Sequence, residues 1–212
     1  PEIGQLSSLT TLFLRYGQLT GEIPVEIGNL TSLTHLDLNS NQLTGEIPVE
    51  IGDLTNLFSL NLVYNKLGGE IPVEICNQGD SSPSLRNNQF CQPYPECLSI
   101  TDIGYQDISE CEEYECDEGF VDLWNFCLDI EITTELDLGG YQLTGEIPPE
   151  IGYLMNLTEL NLSGSQFGNY LTGEIPPEIG NLTNLRYLSL EVNQLTGEIP
   201  SWIGSLTNLT YL

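Results

Sequence analysis

Between Leu33 and Asn39 the chain reads "LTHLDLN", with Leu36 and Leu38 alternating against His35, Asp37 and Asn39. A period of two over so short a run predicts a strand with one buried and one open face. Each such run leads into Gly-Glu-Ile-Pro, which starts at residues 21, 45, 69, 145, 173 and 197, and then into P-x-E-I-G-x-L. The intervals are 24, 24, 76, 28 and 24 residues. A fixed period of about 20–50 residues is the mark of a solenoid. One coil is too small to bury its own leucines, so stacked coils should align their strands roughly 4.8 Å apart in one parallel sheet. The proline should open a short helical turn on the opposite, convex side, and the glycine should end it.

The Asn of L-x-L-x-x-N should form a ladder, because an amide can satisfy several backbone groups where the chain turns inward. Asn41, Asn65, Asn88 and Asn193 hold this position; Gly17, Tyr141 and Ser165 replace it elsewhere and should weaken the ladder. "SLRNNQFCQPYPEC" is a disguised fourth coil, with Asn88 on the ladder, Phe90 on a leucine site and Pro95 on the proline. Asn65 and Asn88 lie 23 residues apart, but Asn88 and Tyr141 lie 53 apart. The expected organisation is therefore a repeat block at 1–97, an acidic cysteine-rich insert at 98–129 and a second repeat block at 130–212. A smaller insertion of four residues falls in "SGSQFGNYLTG".

The full pattern, L-x-x-L-x-L-x-x-N-x-L-T-G-E-I-P-x-E-I-G-x-L, resembles the leucine-rich repeat in its plant-type variant, over most of residues 1–97 and 130–212. The resemblance implies a right-handed repeat solenoid with one parallel β-sheet, a short second strand at Gly-x-Ile-Pro, short convex helical turns and a disulfide-rich interruption. It also implies recognition of proteins, as in plant receptor ectodomains and polygalacturonase-inhibiting proteins. A looser resemblance, carried by a cysteine-bearing coil followed by a fresh repeat block, is to large surface or adhesin-like proteins of environmental microbes.

Charge narrows the partners. Thirty-one acidic residues stand against 4 basic ones, a net charge of −27. Nucleic acid and anionic membrane both call for clustered Lys and Arg, so neither is expected as a partner. No run approaches the ~18 apolar residues of a membrane span, and no signal peptide opens the chain. The cysteines Cys76, Cys91, Cys97, Cys111, Cys116 and Cys127 are clustered and even in number, which reads as a disulfide framework made outside the cell. Cys116 with Cys127 is the one pairing singled out. Zinc is the rival, but close C-x-x-C pairs are missing and the single histidine, His35, lies far from the cluster.

Two glutamate columns recur, Glu22, Glu46, Glu70, Glu146, Glu174 and Glu198 in one and Glu2, Glu26, Glu50, Glu74, Glu150 and Glu178 in the other. Paired carboxylates can run acid–base chemistry, but recurrence in every coil points to a solvated face instead. Like charges about 5 Å apart repel by roughly 0.8 kcal/mol in water, which divalent ions or salt would relieve. The run "ECEEYECDEGF" could take a calcium ion or be a solvated, disulfide-tied loop. No other cofactor is implied. A single histidine leaves no Ser/His/Asp or Cys/His constellation, so no enzyme is expected.

The outward strand positions should build the concave face. There Phe13, Arg15, Tyr16, His35, Phe58 and Tyr64 form a candidate patch for a protein or glycan ligand; ordinary surface variation is the alternative. Asn29, Asn156, Asn161, Asn181 and Asn208 open N-x-S/T sequons, although N-L-T is part of the repeat itself. A glycan on Asn161 would obstruct the concave face. A threonine column (Thr20, Thr44, Thr144, Thr172, Thr196) would suit ice binding, but Gly68 and Cys91 interrupt it. Residues 1–12 align with 201–212, so neither end shows a polar cap, and leucines there (Leu6, Leu9, Leu12, Leu206, Leu209, Leu212) should be bare. Two functions follow: a structural or adhesive segment of an extracellular filament or covalent array, joined end to end, or a ligand-binding ectodomain.

Overall fold

A computed structural model describes residues 2–112, 114–164 and 168–212. The chain forms two compact units, Pro1–Tyr114 and Glu115–Leu212. This division does not follow the expected 98–129 insert: residues 98–114 belong to the first unit and 115–129 to the second.

In the first unit the strands Thr11–Phe13, His35–Asp37 and Ser59–Asn61 pair in parallel and in order. Bridges from Asn61 to Ser84 and from Asn88 to Gln106 carry the stack through two further coils. The fifth coil is what makes 98–111 part of this unit. Gln106 does there what asparagine does elsewhere: its Oε1 accepts from the Phe90 N–H, and its Nε2 donates to the carbonyls of Leu85 and Ile103. Ile100–Ile103 is a single helical turn closed by a capping box between Ser99 and Asp102. A second parallel sheet, from Thr20–Gly21, Gln42–Gly45, Lys66–Glu70 and Gln89–Cys91, forms at the Gly-Glu-Ile-Pro side. The leucines and isoleucines between the sheets make one buried core, with Phe90 fully enclosed on its expected leucine site.

The asparagine ladder is built as the amide chemistry requires. The Oδ1 of Asn65 accepts from the Leu43 N–H, and its Nδ2 donates to the Leu38 and Leu62 carbonyls. Asn41, Asn88 and Asn193 repeat the arrangement. In the second unit the position after the four-residue insertion is filled by Asn169, not Ser165, which lies outside the described residues. A second asparagine column was not expected: Asn56, Asn156, Asn184 and Asn208 each donate Nδ2 to a carbonyl of the preceding coil.

The convex turns are 3-10 segments such as Val25–Asn29 and Val49–Asp53, each preceded by an extended proline. Leucine, not glycine, terminates them. The glycine sits inside the turn for a packing reason: a Cβ on Gly28 would lie 2.6 Å from both the Cβ and the carbonyl oxygen of Glu50 in the next coil. The glycine of Gly-Glu-Ile-Pro has the other use of the residue. Gly45 has φ +77, a region where side chains are strained, and Glu22 lies across its open face.

The second unit pairs Glu135–Asp137, Glu159–Asn161 and Tyr187–Ser189 in parallel, with a bridge from Tyr187 to Tyr211. Residues 115–129 are an antiparallel hairpin at its start, Phe120–Leu123 with Phe126–Asp129. Trp124 and Asn125 both take positive φ, the geometry of a two-residue hairpin turn. The hairpin packs against the Pro149–Tyr153 turn and buries Val121, Leu123, Phe126 and Leu128. Leu206, expected to be bare, is 3 % exposed, whereas Leu6 and Leu212 are largely open.

Three disulfides tie these parts: Cys76–Cys97 and Cys91–Cys111 across neighbouring coils of the first unit, and Cys116–Cys127 within the second. Tyr94 packs on the first core, and its hydroxyl donates to the Phe90 carbonyl, 3.2 Å away. Burial pushes its phenol pKa up to about 12 from 10.0. The neutral form is therefore favoured in the folded state. Its stabilisation is complete below pH 10 and is lost as pH rises from there through 12, by roughly 2–3 kcal/mol. Melting of the first unit should be flat up to about pH 10 and fall above it, and Tyr94→Phe should flatten that alkaline limb. An unchanged limb in the variant would refute the assignment to Tyr94.

Candidate functional site

On the open sheet face of the first unit, register decides which side chains meet. Thr11, His35 and Ser59 share one column, and Phe13, Asp37 and Asn61 the next outward one. His35 thus lies diagonally between two rings. Its centroid is 6.3 Å from that of Phe13, edge-on, and 5.7 Å from that of Phe58, tilted. The result is a diagonal chain of three rings across three coils, with Phe13 51 % and Phe58 76 % exposed. Phe58 is not on a strand; it directly precedes Ser59 and reaches the face from the strand's entrance.

Arg15 joins this chain from the turn after the first strand. Its guanidinium carbon lies 5.3 Å from the Phe13 ring centroid and 5.8 Å from that of Tyr16. Its Nη1 reaches Asp37 Oδ2 at 3.4 Å. Asp37 is held in turn by the backbone N–H and the amide of Asn39, at 3.1 and 2.7 Å. Arginine between two aromatic faces contributes about 0.5–1 kcal/mol at an exposed site, and it fixes where the charge is presented. Tyr16 and Tyr64 sit in the left-handed turn that follows each strand, at φ 56 and 54, with Ser40 between them at φ 55. Among the described residues Tyr64 stands apart from the ring chain.

The Nδ1 of His35 and the Thr34 hydroxyl are hydrogen-bonded at 2.9 Å. Among the described residues no three His, Cys, Asp or Glu side chains converge to hold a metal ion; Glu113 of the acidic run lies outside the described residues. No helix among the described residues is long and apolar enough to cross a membrane. Of the sequon asparagines, Asn156 and Asn208 spend their amide N–H on the preceding coil, and Asn161 donates to Asp137 at 2.9 Å. Asn29 and Asn181 end exposed convex turns.

The second unit carries a different face. Its inner column runs Glu135, Glu159, Tyr187, Tyr211, and the two tyrosines stack with centroids 4.5 Å apart and planes 11° from parallel. Sequence reasoning passed over these residues; the signal was the same outward position that gave His35.

Two leucine-rich-repeat family models match the chain, one over residues 7–67 and one over 156–182 and 184–206, together more than half of it. The chain belongs to the leucine-rich-repeat family. No curated protein sequence matches it closely enough to count as a relative. Among solved structures it is similar to the plant peptide hormone receptor RGFR1 in complex with RGF2, at 30 % identity over 99 % of this chain and 32 % of that one, TM-score 0.47. It is similar to the Arabidopsis receptor kinase HAESA in complex with the peptide hormone IDA and the co-receptor SERK1, at 34 % identity over 100 % and 30 %, TM-score 0.45. A leucine-rich-repeat protein of Leptospira interrogans matches at 31 % identity over 100 % and 56 %, TM-score 0.47. The chain spans about a third of the plant receptor chains it matches.

Proposed function

We propose that this chain is a non-catalytic, extracellular leucine-rich-repeat binding module whose first unit takes a protein ligand on its open sheet face. The ring chain of Phe13, His35 and Phe58, with Arg15 placed over Phe13, carries this reading. Rigid aromatic rings and an oriented arginine are the side chains that dominate protein interfaces, and here the parallel sheet carries Phe13 and His35 with Arg15 and Phe58 at its edges. The disulfides support an extracellular setting, since such bridges persist in oxidising compartments.

The test is selection of peptide ligands on the intact chain. Ligands for this face should lose about tenfold or more in affinity on Phe58→Ala, which truncates a largely solvent-exposed ring, and little on Phe120→Ala in the other unit. Selected ligands indifferent to Phe58 and Arg15 would overturn the reading. Sedimentation of the same sample separates it from the end-to-end array. The binding module stays one chain at all concentrations, whereas an array grows with concentration.

A further inference from the structure

The two sheet faces differ in chemistry. In the first unit the inner column is Thr11, His35, Ser59, without an acid, and a cation stands beside it. In the second unit the same column begins Glu135, Glu159 and ends in the stacked pair Tyr187 and Tyr211. Glu191 follows in the turn after the third strand and lies close enough to Tyr211 to raise the pKa of its phenol, ahead of the smaller effect of Tyr187. Glu135, Glu159 and Glu191 are exposed, and among the described residues none has an ion-pair partner. Arg186 is the single basic residue between 115 and 212. It stands at the margin of the column, in an adjacent groove of about 600 Å³ with Glu131, Asn156 and Thr158.

Carboxylates directly opposite on neighbouring strands repel each other, and this surface leaves that repulsion uncompensated. Tyrosine faces attract guanidinium and ammonium groups, most strongly where carboxylates flank them. Three strands and the bridge at Tyr211, at about 4.8 Å spacing, span roughly 14 Å, the reach of a short extended segment with a side chain for each end of the column. We propose that the open sheet face of the second unit binds an extended, arginine- or lysine-bearing segment of a partner protein. The proposal rests on the reading of the chain as a binding module. It adds a second surface and the charge of its ligand.

Fluorescein-labelled hexa-arginine, titrated at about 0.15 M salt to suppress long-range attraction, is the probe. Replacing Glu135, Glu159 and Glu191 by Gln should weaken binding by about tenfold or more. A control with the same charge change, Glu146, Glu174 and Glu198 to Gln, should stay within about twofold. Tyr211→Ala should weaken binding, and Arg186→Gln should strengthen it. Equal losses from both triple variants would reduce the effect to net charge and overturn the proposal, as would no loss from either. If the sheet-face triple is without effect while Phe58→Ala still weakens selected ligands, the binding module stands and only this surface falls.

Discussion

Reduction of the disulfides should unfold the first unit at markedly lower urea and leave the second closer to its oxidised stability. Cys76–Cys97 spans 21 residues and Cys91–Cys111 spans 20. Loops of that length withdraw about 3 kcal/mol each from the unfolded ensemble, so losing both costs the unit roughly 6 kcal/mol. The whole stability of an ordinary domain is about 5–15 kcal/mol. The loss falls where the repeat is least able to bear it. Coil four replaces Thr-Gly-Glu-Ile with Cys91, Gln92, Pro93 and Tyr94, and coil five has neither a Gly-Glu-Ile-Pro nor an asparagine on its ladder. The bridges join these two degenerate coils to each other and to the regular stack. In the second unit Cys116–Cys127 spans 11 residues and closes only the hairpin. Urea titration with and without a phosphine reductant, followed by Tyr and Trp fluorescence, reads both transitions. Two transitions unmoved by reduction would show that packing alone holds coils four and five.

The repeat was legible because three constraints coincide in it. Leucines mark the inward row, the Gly-Glu-Ile-Pro glycine marks a positive φ, and the convex glycine marks the approach of the next coil. Where only one constraint survives, reading fails. Gln106 has the amide of asparagine on a longer arm, so it satisfies the ladder without announcing it. The hairpin of residues 120–129 turns on Trp124 and Asn125, not on the Asn-Gly pair that would signal it. The ring chain was legible as a set of exposed residues and not as a cluster. That Phe13 and Phe58 meet His35, while Tyr64 does not, depends on strand register and on Tyr16 and Tyr64 sitting in the left-handed turns beyond the strands. The tyrosine stack escaped for the same reason, because it exists only once Tyr187 is set against Tyr211.

Asn169→Ala should destabilise the second unit by about 2–3 kcal/mol, a large effect for a polar residue that the repeat pattern does not mark. The four-residue insertion makes its importance hard to see, since counting from Leu160 and Leu162 puts Ser165 on the ladder. Asn169 takes that position instead and lies in the core at 2 % exposure. There its Oδ1 accepts from the Leu143 N–H at 3.1 Å. Its Nδ2 donates to the carbonyls of Leu138, Leu162 and Ser163 at 2.8, 2.9 and 3.2 Å. Alanine leaves the Leu143 N–H without its acceptor in an apolar interior, at about 1–3 kcal/mol, and takes one donor from each of three carbonyls, which keep the Asn193 amide (Leu162), the Gly140 N–H (Ser163) and the Tyr141 N–H (Leu138). Asn169→Asp is the sharper comparison. It keeps an acceptor for the Leu143 N–H but turns a carboxylate toward three carbonyl oxygens, so it should be at least as damaging as alanine. Asn161→Ala, on the exposed face where the amide bonds only Asp137 and the Ser163 N–H, should cost under about 1 kcal/mol. Urea unfolding of the three variants decides the matter. If Asn169→Ala falls within about 1 kcal/mol of the parent, this residue does not anchor the second unit, and the ladder does not carry it across its insertion.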